Sequence, residues 1–216
     1  YHDMLRAREK AHNGLSRDLE TCRRPLFVFS AEDLSAPDFP ESSVQKAIDF
    51  FRGFSDDIPV IAYVRPPLSF MTSAYAQRLK EQKKSALEIS PDTLWPNYRD
   101  RFEKYEHILG RARVALHSFA RETLIDGNVV TDFLNRIGCT KPPRKLIATA
   151  NESLSAPAMS LAYLKLLVSQ DDRAEGRIFD EQAARLNACG IPALKQISGT
   201  RFRLSESLLR PVMEKN

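Results

Sequence analysis

The chain has 216 residues, enough for one sizeable domain with a core of its own. Its 43% hydrophobic and 28% charged residues are ordinary for a soluble globular protein, and no apolar run approaches the ~20 residues of a membrane span. The net charge of +4 suits an anionic nucleotide or an acidic glycan and does not by itself call for nucleic acid.

The three cysteines, Cys22, Cys139 and Cys189, are scattered and odd in number. They offer neither a metal spacing nor a disulfide framework, which points to a reducing, cytoplasmic setting with no metal. No secretory signal is visible, and the chain opens at Tyr1 without a methionine.

Residues from about 2 to 20 read as an amphipathic helix, with Met4, Leu5, Ala11, Leu15 and Leu19 available for one apolar side. Residues 26–29 (Leu-Phe-Val-Phe) read as a buried strand that closes on Ser30-Ala31-Glu32-Asp33-Leu34-Ser35. A helix follows from about 42 to 53, with Val44, Ala47, Ile48 and Phe51 at helical spacing. Residues 60–64 form a second apolar run, a strand buried on both faces, cut off by Pro66 and Pro67. Proline is welcome in the first turn of a helix, so the chain runs helical from about 68, with Met71, Ala74, Tyr75 and Leu79 inward. Pro91 and Pro96 break the pattern before a helix over about 97–109. Residues 113–117 read as a third strand. A short helix lies within 127–138, another runs from a cap at 151–155 to about 168, and two more cover about 177–188 and 205–214. The alternation of strands with helical crossovers predicts a largely parallel sheet in a single domain without a linker.

The seam after residue 64 leaves Arg65 at the carboxyl end of a strand, where open α/β sheets bind ligands. Ser73 lies in the early turns of the next helix and can face the same crevice. A guanidinium and a hydroxyl aimed at one place suit a phosphate group. The competing reading is an arginine in a structural ion pair beside a serine exposed on a helix.

An arginine at a strand end with a serine eight positions later resembles the 3′-phosphate-binding element of the sulfotransferases that use 3′-phosphoadenosine 5′-phosphosulfate (PAPS). The longer string Tyr63-Val64-Arg65-Pro66-Pro67 with Ser73-Ala74-Tyr75-Ala76-Gln77 is similar to a bacterial branch of that superfamily associated with surface polysaccharides. Phe29-Ser30-Ala31-Glu32, Phe119-Ala120-Arg121-Glu122-Thr123, Gly127-Asn128-Val129-Val130-Thr131-Asp132, Asn151-Glu152-Ser153-Leu154-Ser155 and Thr200-Arg201-Phe202-Arg203-Leu204 resemble further segments of it, in the same order. The resemblance covers most of residues 26–212. It implies a P-loop-NTPase-like three-layer α/β fold, a mainly parallel sheet flanked by helices, with PAPS as co-substrate. In that family a loop containing lysine, glycine and threonine cradles the 5′-phosphosulfate; no such loop occurs in residues 1–216. The expectation is therefore one sulfotransferase-like domain, 1–216, lacking its N-terminal strand and donor loop.

The resemblance implies that Arg65 and Ser73 bind the 3′-phosphate, with Asn151 and Ser153 as further candidates for the nucleotide pocket. A plain helix cap explains Asn151 and Ser153 equally well. Glu32 is the candidate base for an acceptor hydroxyl, although Ser30-Ala31-Glu32-Asp33 is also a helix-start pattern. His2, His12, His107 and His117 offer no recognisable dyad, and His117 reads as a core or edge histidine. The basic run of Lys80, Lys83 and Lys84 is either a solvated helix face or a meeting place for an anionic glycan. The acceptor is expected to be a carbohydrate hydroxyl. Two other readings stay open: a non-catalytic nucleotide- or glycan-binding module of the same fold, and a P-loop nucleotide kinase. A kinase would need a Walker-type loop and a strand-end Asp for magnesium, whereas the strands read here end in Ser30 and Arg65.

Overall fold

The structure, a computed structural model, describes residues 2–81, 90–139, 154–174, 190 and 192–215. The elements used below are α1 (His2–Thr21), α2 (Glu41–Arg52), β1 (Val60–Val64), α3 (Pro67–Lys80), α4 (Pro91–Leu94) and α5 (Tyr98–Leu109). They continue with β2 (Val114–Ser118), α6 (Val129–Arg136), α7 (Ala156–Ala174) and α8 (Glu206–Lys215). The two strands are parallel neighbours, so the described architecture is a helix-rich α/β arrangement with a small sheet.

The chain divides into two compact units, Tyr1–Ala62 with Asn97–His117, and Tyr63–Pro96 with Ser118–Asn216. In the first unit Val44 and Ile48 of α2 and Phe102 and Tyr105 of α5 are buried, four positions at helical spacing on facing stripes. Arg52 of α2 adds a bond to the carbonyl of Ile108 at 3.2 Å. Asn97 enters α5 in the left-handed region (φ 44°), a conformation asparagine tolerates better than most residues. Gly110 leaves it at φ 81°, where a side chain would be strained. α1 falls where its periodicity places it, yet Leu5 stays exposed and Leu15 and Leu19 are only half-buried.

The expected strand at 26–29 is not formed; these residues are neither helix nor strand. Leu26, Phe27, Val28 and Phe29 are 42–50% exposed. A strand exists only where a neighbour completes its ladder, and a four-residue apolar run carries no information about a neighbour. Phe29 instead sets its ring 5.5 Å from that of Phe51. β1 has the expected bounds, but all five of its residues are half-buried rather than buried on both faces. β2 is shifted one residue from the expected 113–117, because Arg111–Arg113 coil into a short 3-10 turn before it.

The second unit is built on α3. Leu79 joins Leu154, Ala158, Met159, Ala162 and Leu166 in one buried cluster, which includes the inner face of α7. Met71, eight residues earlier on α3, joins Leu94, Leu209 and Val212 in another. Tyr75, midway between them, packs against both. Pro67 sits in the first turn of α3, where its fixed φ and missing N–H cost nothing. Ser155 forms an antiparallel bridge with Arg201, and its hydroxyl donates to the carbonyl of Ile197 at 2.7 Å, tying the start of α7 to the segment that leads into α8. The helix expected at about 177–188 lies outside the described residues.

Candidate functional site at the end of β1

β1 ends at Val64, and Arg65 follows before the proline pair turns the chain into α3. Seven positions into that helix stands Ser73. The Arg65 Nη1 donates to Ser73 Oγ at 2.9 Å, so the two side chains picked out by their spacing meet. Both residues are half-buried. Phe119, the first residue beyond β2, donates its N–H to the carbonyl of Val64 at 2.7 Å and thereby extends the pairing of the two strands. Its ring centroid lies 5.1 Å from the Arg65 Cζ, within cation–π range. The guanidinium is thus held by a hydroxyl on one side and an aromatic ring on another, at the carboxyl end of the sheet. A planar, permanently charged fork fixed in this way is suited to an oxyanion with several acceptor atoms, such as a phosphate.

From Phe119 the chain passes through two short 3-10 turns, Arg121–Thr123 and Ile125–Gly127. Asp126 (φ 53°) and Gly127 (φ 62°) are both left-handed, and a Cβ at Gly127 would stand 3.0 Å from the Arg121 Cγ. Asn128 then caps α6, its side-chain oxygen accepting from the N–H groups of Val130 and Thr131 at 2.8 and 3.2 Å. Asp132, in the first turn of α6, is only 1% exposed. Its carboxylate accepts from the Tyr63 hydroxyl at 2.7 Å, from the Ile125 N–H at 3.3 Å and from the Arg136 guanidinium. These donors, the Arg136 bond foremost, hold the Asp132 carboxyl down at about 2. Burial, reinforced by the bond to this carboxylate, pushes the Tyr63 phenol up to about 12. Phe119, Asp132 and the role of Tyr63 are not apparent from local patterns. The available signal is that Tyr63 and Arg65 are two apart at the end of a strand, hence on one side of it.

Glu32 belongs to the first unit and is exposed. It stands just before the 3-10 turn Asp33–Ser35, and its side chain makes no capping bond there. The segment after it is fastened from one face of α5: Arg101 donates to the carbonyl of Ser35 at 3.1 Å and Tyr105 to that of Leu34 at 2.7 Å. Lys104, 5% exposed, donates to the carbonyls of Ala36 and Phe39 at 2.8 and 2.6 Å. Burial pulls the Lys104 ammonium below its ordinary range, with the neighbouring Arg101 adding to the effect. Burial also lowers Arg101, against the opposing influence of Tyr98, Asp38 and Glu32.

Asn151 and Ser153 lie outside the described residues, as do Lys83 and Lys84. His117 is a half-buried residue of β2. Lys80, half-buried near the end of α3, is lowered by burial and by the charge of Lys195. Among the described residues no three of His, Cys, Asp or Glu gather as a metal-binding group, and no helix is long and apolar enough to cross a membrane. No protein-family model, no curated protein and no solved structure matches the chain.

Proposed function

We propose that the chain is a PAPS-dependent sulfotransferase domain that moves a sulfuryl group to a hydroxyl of a carbohydrate. The observation that carries this reading is the bond between Arg65 and Ser73 at the carboxyl end of β1. The guanidinium and the hydroxyl bind the 3′-phosphate of the donor and set the register of the nucleotide. The transfer itself is an in-line displacement: the acceptor oxygen forms a bond to sulfur as the bond from sulfur to the 5′-phosphate oxygen breaks. The products are the sulfate ester and adenosine 3′,5′-bisphosphate. Glu32 is proposed as the base that takes the hydroxyl proton. The reading carries with it a P-loop-like three-layer fold, in which β1, α3 and β2 form the part that holds the 3′-phosphate.

The test is calorimetric. Adenosine 3′,5′-bisphosphate is expected to bind more tightly than AMP, and Arg65→Ala to weaken only the bisphosphate, about tenfold or more, from the roughly 1.5–3 kcal/mol of a charge-assisted bond. Ser73→Ala, which removes a neutral partner, should cost about two- to tenfold. Equal affinity for the two nucleotides would remove the assignment. Binding of the bisphosphate with no transfer from PAPS, once the donor loop is supplied, would leave a nucleotide-binding module, and preferential binding of ATP with magnesium would favour a kinase.

A further inference from the structure

The contacts around Asp132 close into a ring. Tyr63 and Arg65 are two residues apart at the end of β1. The Tyr63 hydroxyl reaches Asp132 at 2.7 Å, and Asp132 in turn receives the N–H of Ile125 at 3.3 Å. Ile125 lies in the segment that begins at Phe119, whose N–H is bound to the carbonyl of Val64 at 2.7 Å and whose ring lies 5.1 Å from the Arg65 Cζ. The segment from 119 to 125 is therefore pinned at one end by β1 itself and at the other by a carboxylate that is tethered to β1.

We infer that Asp132 is a positioning residue for the anion site: it sets the 119–127 segment through Ile125, and with it the Phe119 ring that holds Arg65 in the plane from which it reaches Ser73. The inference rests on the functional reading for the identity of the anion, and on geometry alone for the restraint of Arg65. A helix-start aspartate normally needs no more than solvent and nearby N–H groups. This one is 1% exposed and bonded to the strand that Arg65 directly follows. Arg136, four residues on, supplies the countercharge that keeps the buried carboxylate ionised, so the acceptor stays available to Tyr63 and Ile125 together.

Tyr63→Phe removes the tether and leaves Asp132, Arg136 and Ile125 in place; Phe119→Leu keeps apolar volume and removes the ring face. Two measurements apply to each: the affinity ratio of adenosine 3′,5′-bisphosphate to AMP, and the NMR spectrum of the Arg65 guanidinium in the unliganded protein. Both variants are expected to stay folded, to lower the ratio about tenfold through the bisphosphate alone, and to speed rotation of the guanidinium. A ratio and a guanidinium spectrum that both match the parent in folded Tyr63→Phe would overturn the inference, even if its melting temperature fell, since a merely structural bond moves stability alone. If the parent protein binds the two nucleotides equally, the functional reading fails separately. The guanidinium spectrum then decides by itself: faster rotation in the variants upholds the positioning role, and unchanged rotation ends it.

Discussion

Tyr63 and Asp132, 69 positions apart in the chain, share a 2.7 Å hydrogen bond, and their ionisations are pushed in opposite directions by it. The bond is strongest while the phenol keeps its proton and the carboxyl has lost its own. Stability should therefore fail at two ends of the pH scale. The Asp132 carboxyl, at about 2 in the folded chain, contributes fully above its ordinary value near 4 and loses that contribution as pH falls through about 2. The Tyr63 phenol, at about 12, contributes fully below its ordinary value near 10 and loses it as pH rises through about 12. Urea midpoints followed across pH should show both limbs. Tyr63→Phe should remove the alkaline limb and shrink the acid one, and a parent-like alkaline limb in that variant would assign it elsewhere.

Lys104 fastens the segment after Glu32 by giving its buried ammonium to two carbonyls. Lys104→Met keeps the length of the stem and removes both bonds; the carbonyl of Ala36 still accepts the N–H of Phe39 at 3.1 Å, whereas that of Phe39 loses the ammonium. A loss of about 1–3 kcal/mol is expected in urea unfolding, together with faster amide exchange over residues 35–39. A variant as stable as the parent would mean that water replaces the ammonium without cost.

Glu32 makes no capping bond, so Glu32→Gln should leave stability within about 0.5 kcal/mol. If it is the base, the same change, made in a chain that also carries the donor loop, should lower sulfuryl transfer from PAPS by roughly 10²–10⁴-fold while the affinity for adenosine 3′,5′-bisphosphate holds. Near-parental transfer removes Glu32 from the mechanism, and a large loss of stability would return it to a structural role.

The sequence made some of this legible and hid the rest for identifiable reasons. β1 was readable to the residue because an apolar run met two prolines, and the same prolines announced α3. Arg65 and Ser73 could be paired because a strand end and the next helix are joined by a short, stiff turn, which makes the spacing of eight a spatial statement. The run at 26–29 looked like β1 and is not a strand, since hydrophobicity reports what a segment could bury and not which neighbour it finds. Asp132 looked like any acidic residue in the first turn of a helix. Its partner Tyr63 is too distant in sequence for periodicity to connect them, and the ring of Phe119 is placed by a backbone bond to Val64 that no local pattern encodes.

Residues 26–29 also bear on how the protein behaves in concentrated solution. Four successive exposed apolar side chains, on backbone outside any ladder, form a short adhesive patch that another chain could match. Immediately before it stand Arg23, Arg24 and Pro25. Two like charges push approaching copies apart, and a proline offers no N–H to a new strand, which is how natural sequences guard such stretches. The part of the guard that Arg23 and Arg24 supply is electrostatic, so its reach shrinks from about 10 Å in 0.1 M salt to about 3 Å in 1 M. Solubility that falls as salt rises is the physical signature of a patch protected in this way.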